Sequence, residues 1–202
     1  MTRPTVHSEA LATFKAQNFS QMAQLSGGQL LDSSTLALNY LSHNCIVTSN
    51  GDISVNNSQV TLSKNERTLL LQYLSSTPGL PPRGKWLSFL ELPEGEHHYV
   101  PLQIEGMEPL AQTFGSDLLA FKSRAEALGG QPLEFGDCSY SLPVLPKVPL
   151  AVIIYEGDEE FPPKANILFD SSAEYHLTTA QLWVLAIEVA QRLTKDDRIG
   201  YL

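Results

Sequence analysis

The sequence predicts an α+β fold: a mainly antiparallel sheet with a helix at each terminus and two to three further helices packed on it. Three observations lead there. Strand-type runs cluster rather than alternating regularly with long helices, which disfavours a parallel doubly wound sheet. Two capping-box sequences, Ser63-Lys64-Asn65-Glu66 and Thr178-Thr179-Ala180-Gln181, each stand before a helix. The stretch from Leu150 to Asp170, LAVIIYEGDEEFPPKANILFD, reads as strand, acidic turn with a double proline, and second strand.

In chain order, residues Ser8 to Leu25 suit a helix. Leu11, Phe14, Phe19, Met22 and Leu25 recur at threes with one five-residue gap, and Gly27-Gly28 closes the segment. LALNYLS, NCIVTSN and DISVN then carry strand-type residues, with a tight-turn signal at Asn50-Gly51-Asp52, and form an expected meander. The Ser63 box opens a helix, RTLLLQYLSS, expected to bury Leu69, Leu70, Tyr73 and Leu74 and to stop before Thr77-Pro78-Gly79. Pro78, Pro81 and Pro82 stiffen the loop that follows.

Lys85 to Leu90 begins an extended segment, and a loop from Glu91 to Glu96 leads to His97-His98-Tyr99, placed here at a strand end. Pro109 to Phe114 and Ser116 to Leu128 suit helices, the second using Leu118, Leu119, Phe121, Ala125 and Leu128 and stopping at Gly129-Gly130. Proline density between Leu133 and Val148 puts that extended region at a sheet edge or in a surface crossing. A last helix, Thr179 to about Lys195, has an apolar face wide enough to pack across the hairpin's sheet. Beyond it the tail KDDRIGYL is expected to fray. With no repeat and no low-complexity segment, residues 1–202 read as one α+β domain.

Composition narrows the function classes. Of 202 residues, 22 are acidic and 13 basic, and the resulting charge of −9 repels phosphate backbones, so nucleic acid is not an expected partner. The same field favours cationic ligands or basic protein surfaces, although solubility alone explains it. No apolar run is long enough to cross a bilayer, and MTRPTVHSEALATFKAQNF has no apolar core of a secretory signal. Two scattered cysteines, Cys45 and Cys138, fit reduced thiols, and the expected compartment is the cytoplasm.

Motifs for familiar chemistry are missing. Gly79 to Lys85 supplies G-x-x-x-x-G-K, but Trp86 stands where a magnesium-binding hydroxyl belongs and two prolines remove amides. There is no G-x-S-x-G elbow, H-x-H, H-E-x-x-H or Cys/His cluster, so no metal site is expected. The sharpest feature is the loop EGDEEFPP. Its carboxylates Glu156, Asp158, Glu159 and Glu160 suit a cation or acid–base work, against the plainer reading of a solvated hairpin tip. Phe161 within it is expected to pin the loop to the body of the protein.

WLSFLELP (Trp86 to Pro93), the helix ending at Gly129-Gly130 and EGDEEFPPKANILFD (Glu156 to Asp170) resemble a bacterial and archaeal family catalogued as a domain of unknown function. Some members of that family carry an N-terminal four-iron–four-sulfur module, which implies a redox or corrinoid-linked accessory role. Two lone cysteines cannot supply four thiolates, so electron transfer would rest on a redox protein partner. The family brings no catalytic residues to carry over.

The resulting expectation is a ligand-binding or redox-accessory module, non-catalytic by itself, with a tetrapyrrole or corrinoid as candidate cofactor. Its ligand-binding candidates are Glu156, Asp158, Glu159, Glu160 and Phe161, with Trp86 and a histidine from His97, His98 and His176. Two alternatives stand beside it: an enzyme using the loop carboxylates with a histidine, and a structural interaction domain.

Overall fold

The computed structural model describes residues 3–56 and 60–195; the tail from Asp196 onward, expected to fray, lies outside the described residues. Helices stand at both ends and the strands form two antiparallel sheets, an α+β architecture.

The first helical region is two helices, α1 (Val6–Ala16) and α2 (Phe19–Ser26), rather than the one expected over Ser8–Leu25. Between them Gln17 is extended, and Asn18 caps α2 by accepting from the Gln21 amide at 2.9 Å. The five-residue gap from Phe14 to Phe19 marks this break. Gly27, at φ +76°, ends α2 in the left-handed conformation that glycine adopts without strain.

The meander follows as β1 (Gln29–Asp32), β2 (Thr35–Tyr40), β3 (His43–Thr48) and β4 (Ile53–Val55), paired in that order. Strand β1 escapes a reading by alternation because all four of its residues are exposed. Helix α3 (Lys64–Ser76) starts at the Ser63–Glu66 capping box and buries Leu69, Leu70, Tyr73 and Leu74. The Tyr73 hydroxyl donates to the Ser26 carbonyl (2.7 Å) and accepts from the Lys147 amide (3.2 Å). One phenol thus ties α3 to the end of α2 and to the turn within the second sheet.

After the proline loop, β5 (Trp86–Ser88) is short, and a 3₁₀ turn takes over at Phe89. His97 and His98 are then helical, not at a strand end: they lie in α4 (Glu96–Leu102). Pro101 lacks an amide proton, and the run widens to a π turn (Gln103–Met107) before α5 (Glu108–Phe114). Helix α6 (Leu118–Ala127) buries Phe121 and Ala125 but leaves Leu119 in solvent, and Gly129 at φ +78° stops it.

The second sheet adds β6 (Gln131–Leu133), β7 (Cys138–Leu145), β8 (Val148–Tyr155) and β9 (Lys164–Asp170) in the order β5-β9-β8-β7-β6. Strand β8 is central, paired with β9 on one side and with β7 on the other. Strand β7 is therefore not at an edge, contrary to its proline content. Pro143 is absorbed where the register shifts between Leu142 and Leu145, Pro146 falls in the turn to β8, and only Pro132 sits on the edge strand. The sheets meet at β2 and β7, where the Leu41 amide donates to the Val144 carbonyl.

Helix α7 (Thr179–Thr194) packs on α3, α4, α5 and the π turn. Gly106 lies between Ile167 of β9 and Ile187 of α7, so the π turn is the layer between that helix and the sheet. A continuous apolar core runs from Ala10 to Leu193. Among the described residues no helix is long and apolar enough to cross a membrane.

Candidate functional site

The acidic loop is ordered, though not by its ring. Asp158 Oδ1 accepts from the Glu160 amide (2.8 Å) and the Phe161 amide (2.7 Å), and its own amide donates to the Phe161 carbonyl. Gly157 N donates to Gly115 O at 3.1 Å, and the Pro163 ring lies against Gly115. Glu156 N donates to Asp137 Oδ2 at 2.9 Å. Phe161, expected to pin the loop, is instead 62% exposed, because local turns and an imide ring already fix the backbone. Glu156, Asp158, Glu159 and Glu160 are all in solvent.

Trp86 stands at the other end of the same strand pair, its register partner being Asp170. Strand β9 runs from Lys164 to Asp170, which separates Trp86 from the loop by about 20 Å at ~3.3 Å per residue. At that far end Asp170, fully buried, accepts from the amides of Arg83, Gly84 and Ser172 and from Ser172 Oγ. Burial alone would raise its pKa, but these hydrogen bonds outweigh it and hold the carboxyl below its ordinary value. The last residue of the NILFD block thus clamps the proline loop.

His176 is buried beside this clamp. Its Nδ1 is 2.6 Å from Thr77 Oγ1, its carbonyl accepts from Ser76 Oγ, and its ring lies 6.2 Å from that of Tyr73. Desolvation lowers its pKa, opposed by the Leu80 backbone and Asp170. His97 is exposed on α4, whereas His98 stacks on Trp183 with ring centroids 4.7 Å apart and planes 10° from parallel. The residues singled out from sequence therefore divide among four places: the loop tip, the Trp86–His176 end, the His98–Trp183 stack and, for His97, the open face of α4. Among the described residues no three His, Cys, Asp or Glu side chains gather as a metal would need.

A groove of about 590 Å³ opens beside that stack, lined by α1, α3 and α7. Val6 and His7 come from the first turn of α1, Lys64 and Asn65 from α3, and Ala180 and Gln181 from α7. Leu69, Trp183 and Val184 supply its apolar wall. All three helices begin with capping boxes, so each cap oxygen takes the third amide and leaves the first two without an intrahelical acceptor. Helices α3 and α7 run antiparallel, so the α7 start stands near the end of α3 and the α3 start stands beside the later half of α7. Lys64 and His7 add the groove's charged or titratable side chains, and none of the described residues lining it carries a carboxylate.

Hydrogen bonding sets the His7 tautomer. Thr68 Oγ1 donates its single proton to the Lys64 carbonyl at 2.7 Å, the usual helical back-bond. It must then accept from His7 Nδ1, 2.8 Å away, which leaves Nε2 with the lone pair when the ring is neutral. Trp183 Nε1 is buried and has no hydrogen-bond partner among the described residues. Neither His7 nor Trp183 stood out in the sequence. The capping boxes at Ser63 and Thr178 were the available signal, but nothing local says that the helices they open share a groove.

The family model for a domain of unknown function (DUF3786) matches residues 18–192. The chain belongs to that family. No curated protein and no solved structure matches it. The DUF3786 span takes in the α3 and α7 sides of the groove and the hairpin, whereas Val6 and His7 precede it.

Also inside the DUF3786 span is a buried ion pair joining those two helices. Arg192 of α7 donates from Nε (2.8 Å) and Nη2 (2.6 Å) to the two oxygens of Glu66, and Nη2 also donates to the Thr61 carbonyl. Glu66 further accepts from the Tyr40 hydroxyl and from the Ser63 amide of its own capping box. Next to it the buried Glu188 accepts from Ser63 Oγ and Asn65 Nδ2. Glu188 and Arg192 lie in the last turns of α7, so this network ties the α3 start to the far end of α7 and holds the two helices antiparallel along the groove.

Proposed function

We propose that the chain is a single-domain, cytoplasmic binding module whose ligand is a small anion with an apolar, planar body. One observation carries the reading: Lys64, His7 and the buried indole N–H of Trp183 border a groove to which none of the described lining residues brings a carboxylate, in a protein of net charge −9. A carboxylate or phosphate would pair with Lys64 and the free amides at the α3 start, and a ring system would lie along Leu69, Val184 and Trp183. An acceptor on that ring system would satisfy the buried indole N–H, which is costly to leave unpaired.

A tetrapyrrole is one molecule of this description, since its carboxylates and flat apolar ring match the two halves of the groove. The corrinoid and redox-accessory form of the reading draws on the family resemblance alone, and it requires a partner because Cys45 and Cys138 sit in different sheets.

Thermal stability measured with planar carboxylates, their neutral amide analogues, haem and cobalamins tests the proposal. Acids should raise the melting temperature where amides do not, and Lys64→Glu should abolish the effect without weakening the fold, since an acidic first turn suits a helix start. Equal stabilisation by acid and amide, or an unchanged response in Lys64→Glu, would overturn it.

A further inference from the structure

The hairpin end of the second sheet has a character that the groove does not use. Phe161 (62% exposed), Phe135 (41%) and Tyr155 (40%) all stand in solvent there. Two contacts bring them to one surface. The Glu156 amide donates to Asp137, joining the β6–β7 loop to the β8–β9 loop, and the Tyr155 ring lies against Gly136. Around the rings stand Glu134, Asp137, Glu156, Asp158, Glu159 and Glu160, all exposed, with Lys164 at the base of β9.

An exposed aromatic patch on a loop held by its own backbone bonds is presented without an ordering cost, as a docking surface requires. Charge complementarity decides the occupant. Anionic partners are repelled, and an apolar one would leave the carboxylates to be desolvated unpaired. Arginine answers both features, because its guanidinium pairs with carboxylates in bidentate fashion and stacks on aromatic faces. We propose that this end of the molecule docks an arginine-bearing segment of a partner protein, independently of what fills the groove.

The test uses the isotopically labelled full chain and a short synthetic peptide of alternating Arg, Leu and Gly, with an Arg-to-Glu counterpart as control. Amide shifts on titration should be confined to residues 134–137 and 155–161, and the control should cause none. Phe161→Ala, a change in an exposed ring that leaves the core untouched, should weaken binding about threefold. Glu159→Gln with Glu160→Gln should weaken it further at low salt. Shifts spread evenly over the acidic surface, or equal binding by the Phe161→Ala chain, would overturn the proposal. So would absence of binding by the arginine peptide.

Discussion

Removing the Asp170 carboxylate should be among the most damaging single changes outside the apolar core. In Asp170→Ala the Arg83 and Gly84 amides lose their acceptor, but both residues are exposed and water can replace it. Ser172 is fully buried, so its amide and hydroxyl stay unsatisfied, at about 1–3 kcal/mol each. The expected loss is roughly 3–4 kcal/mol after allowing for rehydration of the two loop amides. Asp170→Asn keeps one acceptor oxygen and should lose about 2 kcal/mol. Urea unfolding at neutral pH measures both, as a lower midpoint at unchanged slope. The folded-state pKa of Asp170 lies below its unfolded value of about 3.9, so its contribution is present above that pH and is lost as pH falls through the folded value. The gap between wild type and Asp170→Asn should accordingly narrow below about pH 4. A loss under ~0.5 kcal/mol for Asp170→Ala, the range of an ordinary surface change, would refute the clamp.

Arg192→Met leaves Glu66 buried with an uncompensated charge and should cost about 3–5 kcal/mol by denaturant titration, with Glu66→Gln in the same chain restoring part of it. In Gly115→Ala the new Cβ would overlap the Pro163 ring and come within 2.6 Å of the Ala111 carbonyl, so backbone must shift. A loss of roughly 1–3 kcal/mol is expected, with faster proteolysis at residues 156–161 as the loop loses its seat. Burial pushes the Cys45 thiol up to about 11, and Cys138, partly exposed, is raised less. Alkylation near pH 8 should therefore modify Cys138 first and reach Cys45 only on unfolding, as mass spectrometry of partly labelled protein would show.

The legible parts of the fold were those written in local chemistry. Capping boxes at Ser63 and Thr178 and glycines at Gly27 and Gly129 mark helix ends because the chemistry of an end involves only neighbouring residues. The β8–β9 hairpin was legible because strand-type runs flank one polar turn. Errors arose where distant partners decide. His97 and His98 look like a strand end until α4 is seen packed on α7. The β7 prolines mark an edge only if bulge and turn cannot absorb them. Of the candidate site residues, Trp86 and the acidic loop stand at opposite ends of β9, because Trp86 on β5 pairs with its last residue while the loop precedes its first, a register set by residues far apart in sequence. The groove was illegible for the same reason: its walls come from residues near 6, 65 and 181.

The partners of the Glu66–Arg192 pair are 126 positions apart. At ~5–20 residues per second, a ribosome delivers the arginine roughly ten seconds after the glutamate. Throughout that interval the first sheet and α3 cannot close over Glu66 in their final form, because doing so would strand a charge in a dry interior. Helix α7 therefore completes the first half of the molecule, and a chain halted before Arg192 should be found by quality-control proteases with its meander still open.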